Sequence, residues 1–310
     1  MSKTNPLAGF LNRGKTAPDE PNPELQYEGE DVSQDQGPLQ AMKRMDRKRL
    51  RSHLDKVFNV AMVILIVVLL LKLYEVLTDE ERKNLMSSPG DYYADYLGDD
   101  YSKLVVEIDY VEGYGPDTEA LNHFQSILER ECRKQVSMKL DDEIQSTDSS
   151  YTLKEINQLE ERYRDHYRGG DSAVMYYLYL NGEFAESGNV VGVSYHGSSV
   201  ALFQEKFEAA STGRISPMEV ERAVLVHEAG HLFALVEINY ESDVQHQDPN
   251  YPHHCDHTDT LGNHDCVMHW AIETLDAGSF DSYYNQAVGD VPNDFCEDCR
   301  ADLQKLRNKA

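Results

Sequence analysis

The apolar run from Val57 to Leu71, broken only by Asn59, constrains this chain more than any other feature. It is hydrophobic on every side, so a half-solvated helix or strand cannot accommodate it. Fifteen helical residues reach about 22 Å, and continuation through Lys72-Leu73-Tyr74-Glu75-Val76-Leu77 extends this to about 32 Å, close to the thickness of a bilayer's hydrocarbon core. Lys72 is long enough to carry its ammonium to the interface. The competing uses of such a run are a buried core helix and a cleaved signal peptide. The run begins after fifty-six residues and is followed by Lys-Leu-Tyr-Glu, where a cleavage site needs small residues, so a transmembrane helix over residues 53–77 is the expectation. Seven Lys/Arg against two acids lie between residues 43 and 56. By the positive-inside rule the N-terminus is cytoplasmic, and the chain is a single-pass protein of the cell membrane with its C-terminal domain outside.

That span divides the rest. Residues 1–52 read as a disordered tail with a basic end, since the first forty are rich in Pro, Gly, Gln, Asp and Glu and show no apolar period. Residues 78–102, with Ser87-Ser88-Pro89-Gly90 and many Asp and Tyr, read as a linker or stalk. Residues 103–310 form the folded domain. The formal charge is −26, yet residues 1–56 hold ten Lys/Arg against nine Asp/Glu, so the acidic excess lies beyond residue 56. Such a surface repels phosphate backbones, which excludes nucleic acid as a partner.

Within the domain Lys103–Val111 and Ala173–Leu180 have strand character, and Val190–Phe203 reads as extended segments around a Gly-containing turn. Glu119–Leu140 has helical period, and Thr152–Tyr167 is a second helix with Thr152 as its cap and Glu155 three residues on. The fold class is α+β.

Ser216-Pro217-Met218-Glu219 is a strong helix start, and the helix it opens carries His227-Glu228-Ala229-Gly230-His231. Histidines four apart present both imidazoles to one ion, and Glu228, one residue beyond His227, is placed to handle a proton without ligating the metal. A zinc ion with three protein ligands and an open position is the chemistry this spacing serves. The third ligand is not evident from spacing. Glu237 stands where the extended His-Glu-x-x-His-x-x-Gly-x-x-His pattern has its last His, with Ala234 in place of the Gly, and His246, His253, His254, His257, His264 and His269 lie beyond it.

Further on come His254-Cys255, then Cys266-Val267-Met268, then Cys296-Glu297-Asp298-Cys299. In that order these residues resemble the archaemetzincin branch of the metzincin clan, with insertions around the third ligand, over roughly residues 103–300. The resemblance implies a metzincin-like zincin domain: a twisted mixed sheet beside an active-site helix. It further implies His227, His231 and His254 as catalytic zinc ligands, Glu228 as acid and base, and Met268 in the turn beneath the metal. It makes Cys255, Cys266, Cys296 and Cys299 the holders of a second, structural zinc. His246 and Glu237 stay open as alternatives for the third ligand, and two disulfides as the alternative for the cysteines. Cys132 reads as a small buried residue.

The expected activity is zinc-dependent hydrolysis of peptide bonds in a polypeptide substrate near the membrane surface. The rival expectations are a non-catalytic membrane-tethered zinc module, against which Glu228 speaks, and a zinc amidohydrolase acting on a non-peptide amide.

Overall fold

The computed structural model describes residues 38–211, 215–236, 242, 245–258, 264–274 and 291–310. It divides into two compact units, residues 1–67 and 68–310. Helix α1 (Pro38–Leu85) contributes to both. In the first unit, residues 38–52 are helical, which corrects the expectation of disorder there; Leu, Gln, Ala, Met, Lys and Arg dominate the stretch and all favour helix. The rest of the expected tail lies outside the described residues. Arg49–Lys72 has a mean hydropathy of 2.5 with none of it buried, and by length and composition it is able to cross a membrane.

In the second unit, the segment read as a linker is built into the domain. Asn84, in the last turn of α1, is buried and donates to Glu160 Oε1 (2.8 Å) and Ser199 Oγ (3.0 Å). The short helix α2 (Tyr93–Leu97) buries Tyr96 and Leu97, and Tyr96 OH donates to the carbonyl of Gly197 (3.0 Å). Between them Gly90 has φ +86°, and a Cβ there would lie 2.9 Å from that of Ala234, so the Ser-Ser-Pro-Gly turn is a packed corner.

The core of this unit is a five-stranded sheet in the order β2-β1-β4-β7-β6. Its strands are β1 (Lys103–Val111), β2 (Gln135–Ile144), β4 (Ser172–Leu180), β6 (Gly192–His196) and β7 (Ser199–Phe203). β6 runs antiparallel to β7 and all other neighbours are parallel. β3 (Ser150–Tyr151) and β5 (Glu183–Phe184) form a separate two-stranded ladder. β4 is central and buried on both faces, as parallel strands between two layers are. On one face Ala173, Met175, Tyr177 and Tyr179 pack with helices α3 (Thr118–Cys132) and α6 (Pro217–Leu232), and on the other Tyr176, Leu178 and Leu180 pack with Ile156 of α4 (Leu153–Tyr163). The short helix α5 (Gln204–Ala210) continues directly from β7 and buries Phe207 in the same core as α6.

The helix expected over Glu119–Leu140 is shorter. Asp117 caps α3, and Arg133 at φ 55° ends it in the left-handed region, after which Val136, Met138 and Leu140 alternate as a strand on β1. α4 carries the expected capping box of Thr152 and Glu155 but stops at Tyr163. Arg164 turns extended there, and its buried guanidinium reaches Glu160 (2.7 Å) and Ser198 (3.0 Å).

Candidate metal centre

Ser216 and Glu219 close a capping box on α6: the Ser216 hydroxyl oxygen accepts from Glu219 N (3.3 Å), and Glu219 Oε2 accepts from Ser216 N (2.7 Å). The helix then runs through the core, burying His227, Glu228 and His231. Gly230 has a packing reason: a Cβ there would overlap Met268 Sδ, so Met268 sits directly against the helix beneath the histidines. Met268 is reached through a crossing in which Cys255 N donates to the carbonyl of Met268 (2.8 Å), and this brings His254 to the histidines of α6.

The rings of His227, His231 and His254 lie 4.8 to 5.5 Å apart by centroid. His227 Nδ1–H donates to the carbonyl of Val267 (2.7 Å), which leaves the Nε2 lone pair facing His231 Nε2 at 3.1 Å. Burial, with the neighbouring His254, pushes His227 down to about 4, and burial with His227 pushes His231 well below its usual range. Neutral imidazoles with converging lone pairs in a water-poor site are a fit for a divalent metal such as zinc.

Glu228 extends the centre toward the sheet edge. The Ser194 hydroxyl on β6 donates to Glu228 Oε2 (2.8 Å), while Oε1 is buried with no hydrogen-bond partner. A Cβ at Gly192 would lie 2.8 Å from that oxygen, so Gly192 leaves the space it occupies. Burial first, then the charge of Glu273, holds the Glu228 carboxyl well above the usual range. Glu273 itself has Oε2 2.8 Å from His254 Nε2. Burial opposes its ionisation, but the hydrogen bond from His254 and the facing histidines bring it down to about 2.

The four C-terminal cysteines gather separately. All four are buried and outside any disulfide, with Sγ separations of 3.7 Å for Cys255–Cys296 and 3.5 Å for Cys266–Cys299, far beyond a disulfide bond of about 2.05 Å. Cys296 and Cys299 open helix α7 (Glu297–Lys309), where the Cys296 sulfur accepts from Cys299 N (3.4 Å). Hydrogen bonds from Cys255, Cys266 and Cys299 pull Cys296 toward thiolate, while those with Cys266 and Cys296 push Cys255 up and those with the other three cysteines push Cys299 up.

His246 belongs to this second cluster. Its Nδ1 lies 3.2 Å from Cys255 Sγ and its Nε2 2.9 Å from Asp302 Oδ2, so it is removed from the three histidines on α6 and beside it. Glu237 lies outside the described residues. His257 pairs with Asp265 (2.7 Å). His269 accepts from Ala271 N at Nδ1 (3.2 Å) and gathers with His264 and Asp256 in a group apart from the three histidines above. Cys132 is buried, and burial pushes its thiol up to about 12. Ser194, Glu273 and Asp302 were not legible in sequence: each is an ordinary polar residue remote in the chain from the side chain it meets.

No protein-family model matches the chain, and no curated protein matches it. Among solved structures it is similar to archaemetzincin from Methanopyrus kandleri, at 13 % identity and a TM-score of 0.45, covering 67 % of this chain and 97 % of that one. Archaemetzincin from Archaeoglobus fulgidus, complexed with malonate, aligns at 14 % identity and a TM-score of 0.37, covering 64 % of this chain and 99 % of that one. A zinc-dependent peptidase from Methanocorpusculum labreanum aligns at 14 % identity and a TM-score of 0.40, with the same coverage.

Proposed function

We propose that the domain is a zinc-dependent peptidase, tethered to a membrane by α1 with the domain on the outer side. The observation that carries this reading is Glu228 Oε1, a buried carboxylate oxygen with no partner, held beside three convergent imidazoles. A structural metal site needs no such group, whereas hydrolysis needs a base there.

His227, His231 and His254 would hold the zinc, and Cys255, Cys266, Cys296 and Cys299, with His246 alongside, a second one. When bound, zinc supplies Lewis-acid polarisation of a carbonyl and lowers the pKa of water to about 7. The chain's own groups do the rest. The Val267 carbonyl fixes the tautomer of His227. Ser194 anchors one oxygen of Glu228, so that Oε1 takes a proton from the attacking water and passes it to the departing amine nitrogen. The raised pKa of Glu228 suits a group that must hold that proton between the two events. β6, at the sheet edge and lined up with Glu228, offers main-chain pairing to an extended polypeptide.

A non-catalytic zinc module is the second reading, and one observation favours it: Glu273 adds a fourth donor to the three histidines. The full-length protein in detergent, loaded with zinc and assayed on an unfolded protein beside Glu228→Gln, separates the two. Cleavage by the native chain and its loss in the variant support the peptidase. Equal cleavage by both, or none by either the native chain or Glu273→Ala, overturns it.

A further inference from the structure

After Met268 the chain makes a 3-10 turn (Trp270–Ile272), capped by His269, and arrives at Glu273 beside the metal centre. The main chain of Glu273 is fixed to the sheet edge: its carbonyl accepts from Val191 N (2.9 Å), and Thr274 bridges antiparallel to Val190. Its own N–H donates to the carbonyl of Trp270 (3.2 Å). So held, the side chain delivers Oε2 to the face of His254 that looks toward His227 and His231, and one donor atom from each of the four residues lies within 4.8 Å of the other three.

A tetrahedral zinc site with ligand bonds near 2.05 Å has donor-to-donor edges of about 3.3 Å. Of the six donor separations here, His227 to His231 is 3.1 Å and His254 to Glu273 is 2.8 Å, and all six lie within 4.8 Å. Three imidazoles and one carboxylate gathered in this way have the chemistry of a complete four-donor set, whereas a catalytic site leaves one position to solvent.

We propose, resting on the zinc reading above, that Glu273 is the fourth protein donor of the His227–His231–His254 centre and keeps it closed in the resting chain. The Val191 N–H gives this closure a release. It is a main-chain donor at the sheet edge leading into β6, where an extended polypeptide would pair, and it is spent on the Glu273 carbonyl. A substrate strand that takes this donor removes the main-chain bond that positions Glu273, so binding at the edge and opening of the centre are one event. The occupant that opens the site is thus an extended peptide, and a small amide lacking a strand's main chain leaves it closed.

Acetohydroxamate, which needs an open position on zinc, is the probe. It is titrated calorimetrically into the full-length zinc-loaded native protein and into Glu273→Ala and Glu273→Asp, with zinc content measured for each. Aspartate keeps the charge but is one methylene too short to reach. Both variants are expected to bind the probe at least tenfold more tightly than the native chain while retaining their zinc. Equal affinity in all three overturns the proposal, as does native-like affinity in the aspartate variant, which would make charge alone responsible. If His227→Ala loses no zinc, the zinc reading itself fails and this closure with it. Should Glu273→Ala fold poorly, the zinc X-ray absorption of the native chain, compared with that of His227→Ala, decides: a carboxylate oxygen insensitive to added acetohydroxamate supports the closure, and an oxygen the probe replaces at stoichiometric concentration overturns it.

Discussion

Ser194 on β6 donates its hydroxyl proton to Oε2 of Glu228 on α6 over 2.8 Å, and this leaves Oε1 buried without a hydrogen-bond partner. One hydrogen bond thus couples the sheet edge to α6 and sets which way the carboxylate faces.

Ser194→Ala should keep the fold and lower kcat/KM roughly tenfold, since the carboxylate is freed to rotate. The hydroxyl and the main chain of Ser194 both pull Glu228 downward against burial; alanine keeps the main-chain bond and removes the hydroxyl, so the pKa of Glu228 rises further. A base works ionised, and the acid limb of the kcat/KM profile should move to higher pH. An unmoved limb would show that Ser194 does not act through Glu228.

Glu221, a turn and a half before His227, is pushed up to about 7 by burial, although Tyr179 OH (2.9 Å) and Asp117 N (3.1 Å) both donate to it. The folded chain therefore prefers the neutral acid. The stability this group confers is full below the unfolded value near 4.5 and is lost as pH rises to about 7. Glu221→Gln keeps an acceptor without the charge and should gain on the order of 2 kcal/mol at pH 8 over the native chain, with little difference at about pH 4.5. Tm measured across that range checks this; parallel curves would be the contrary result.

Zinc content by elemental analysis should be two per chain. His254→Ala and Cys299→Ala should each lose one equivalent, from different centres, and His246→Ala should leave the His227–His231–His254 equivalent in place. Loss of that equivalent in His246→Ala but not in His254→Ala would reassign the third ligand. Because Cys296 and Cys299 begin α7, Cys299→Ala should also lower Tm by several degrees, as expected when a centre that ties distant segments is lost.

The full-length chain should stay with the membrane fraction through alkaline extraction. Protease added to intact cells should remove the domain while sparing an epitope placed at the N-terminus. Release of the chain, or protection of the domain, would refute the orientation.

Helix α6 was legible because its signals are local. Ser216, Pro217 and Glu219 mark its start by satisfying backbone groups within one turn, and His227 and His231 share a face through the helical repeat alone. The strands read at Lys103–Val111 and Ala173–Leu180 were legible for the same reason, the second beginning one residue earlier in the structure, at Ser172. The end of α3 was not, since the stop is a left-handed arginine rather than a glycine, and the apolar residues of β2 fall near enough to helical spacing to continue the pattern. The segment 78–102 misled because Asn84, Tyr96 and the Ser-Pro-Gly turn are polar or turn-forming by type and become buried only through partners a hundred residues away, such as Ser198, Ser199 and Gly197.

The sequence by itself determined the apolar helix, the capped helix with its two histidines and glutamate, and the thiol-bearing segments, all of which arise from spacing and side-chain chemistry within a few turns. Only the tertiary structure decided which histidine joins which cluster, that Ser194 turns Glu228, and that Glu273 faces His254. His246 and His254 are alike as residues and lie eight positions apart. The crossing that pairs Cys255 with Met268, and the carboxylate of Asp302 on α7, send one to the thiols and the other to the histidines of α6. Such choices depend on packing between distant parts of the chain, for which no local rule exists.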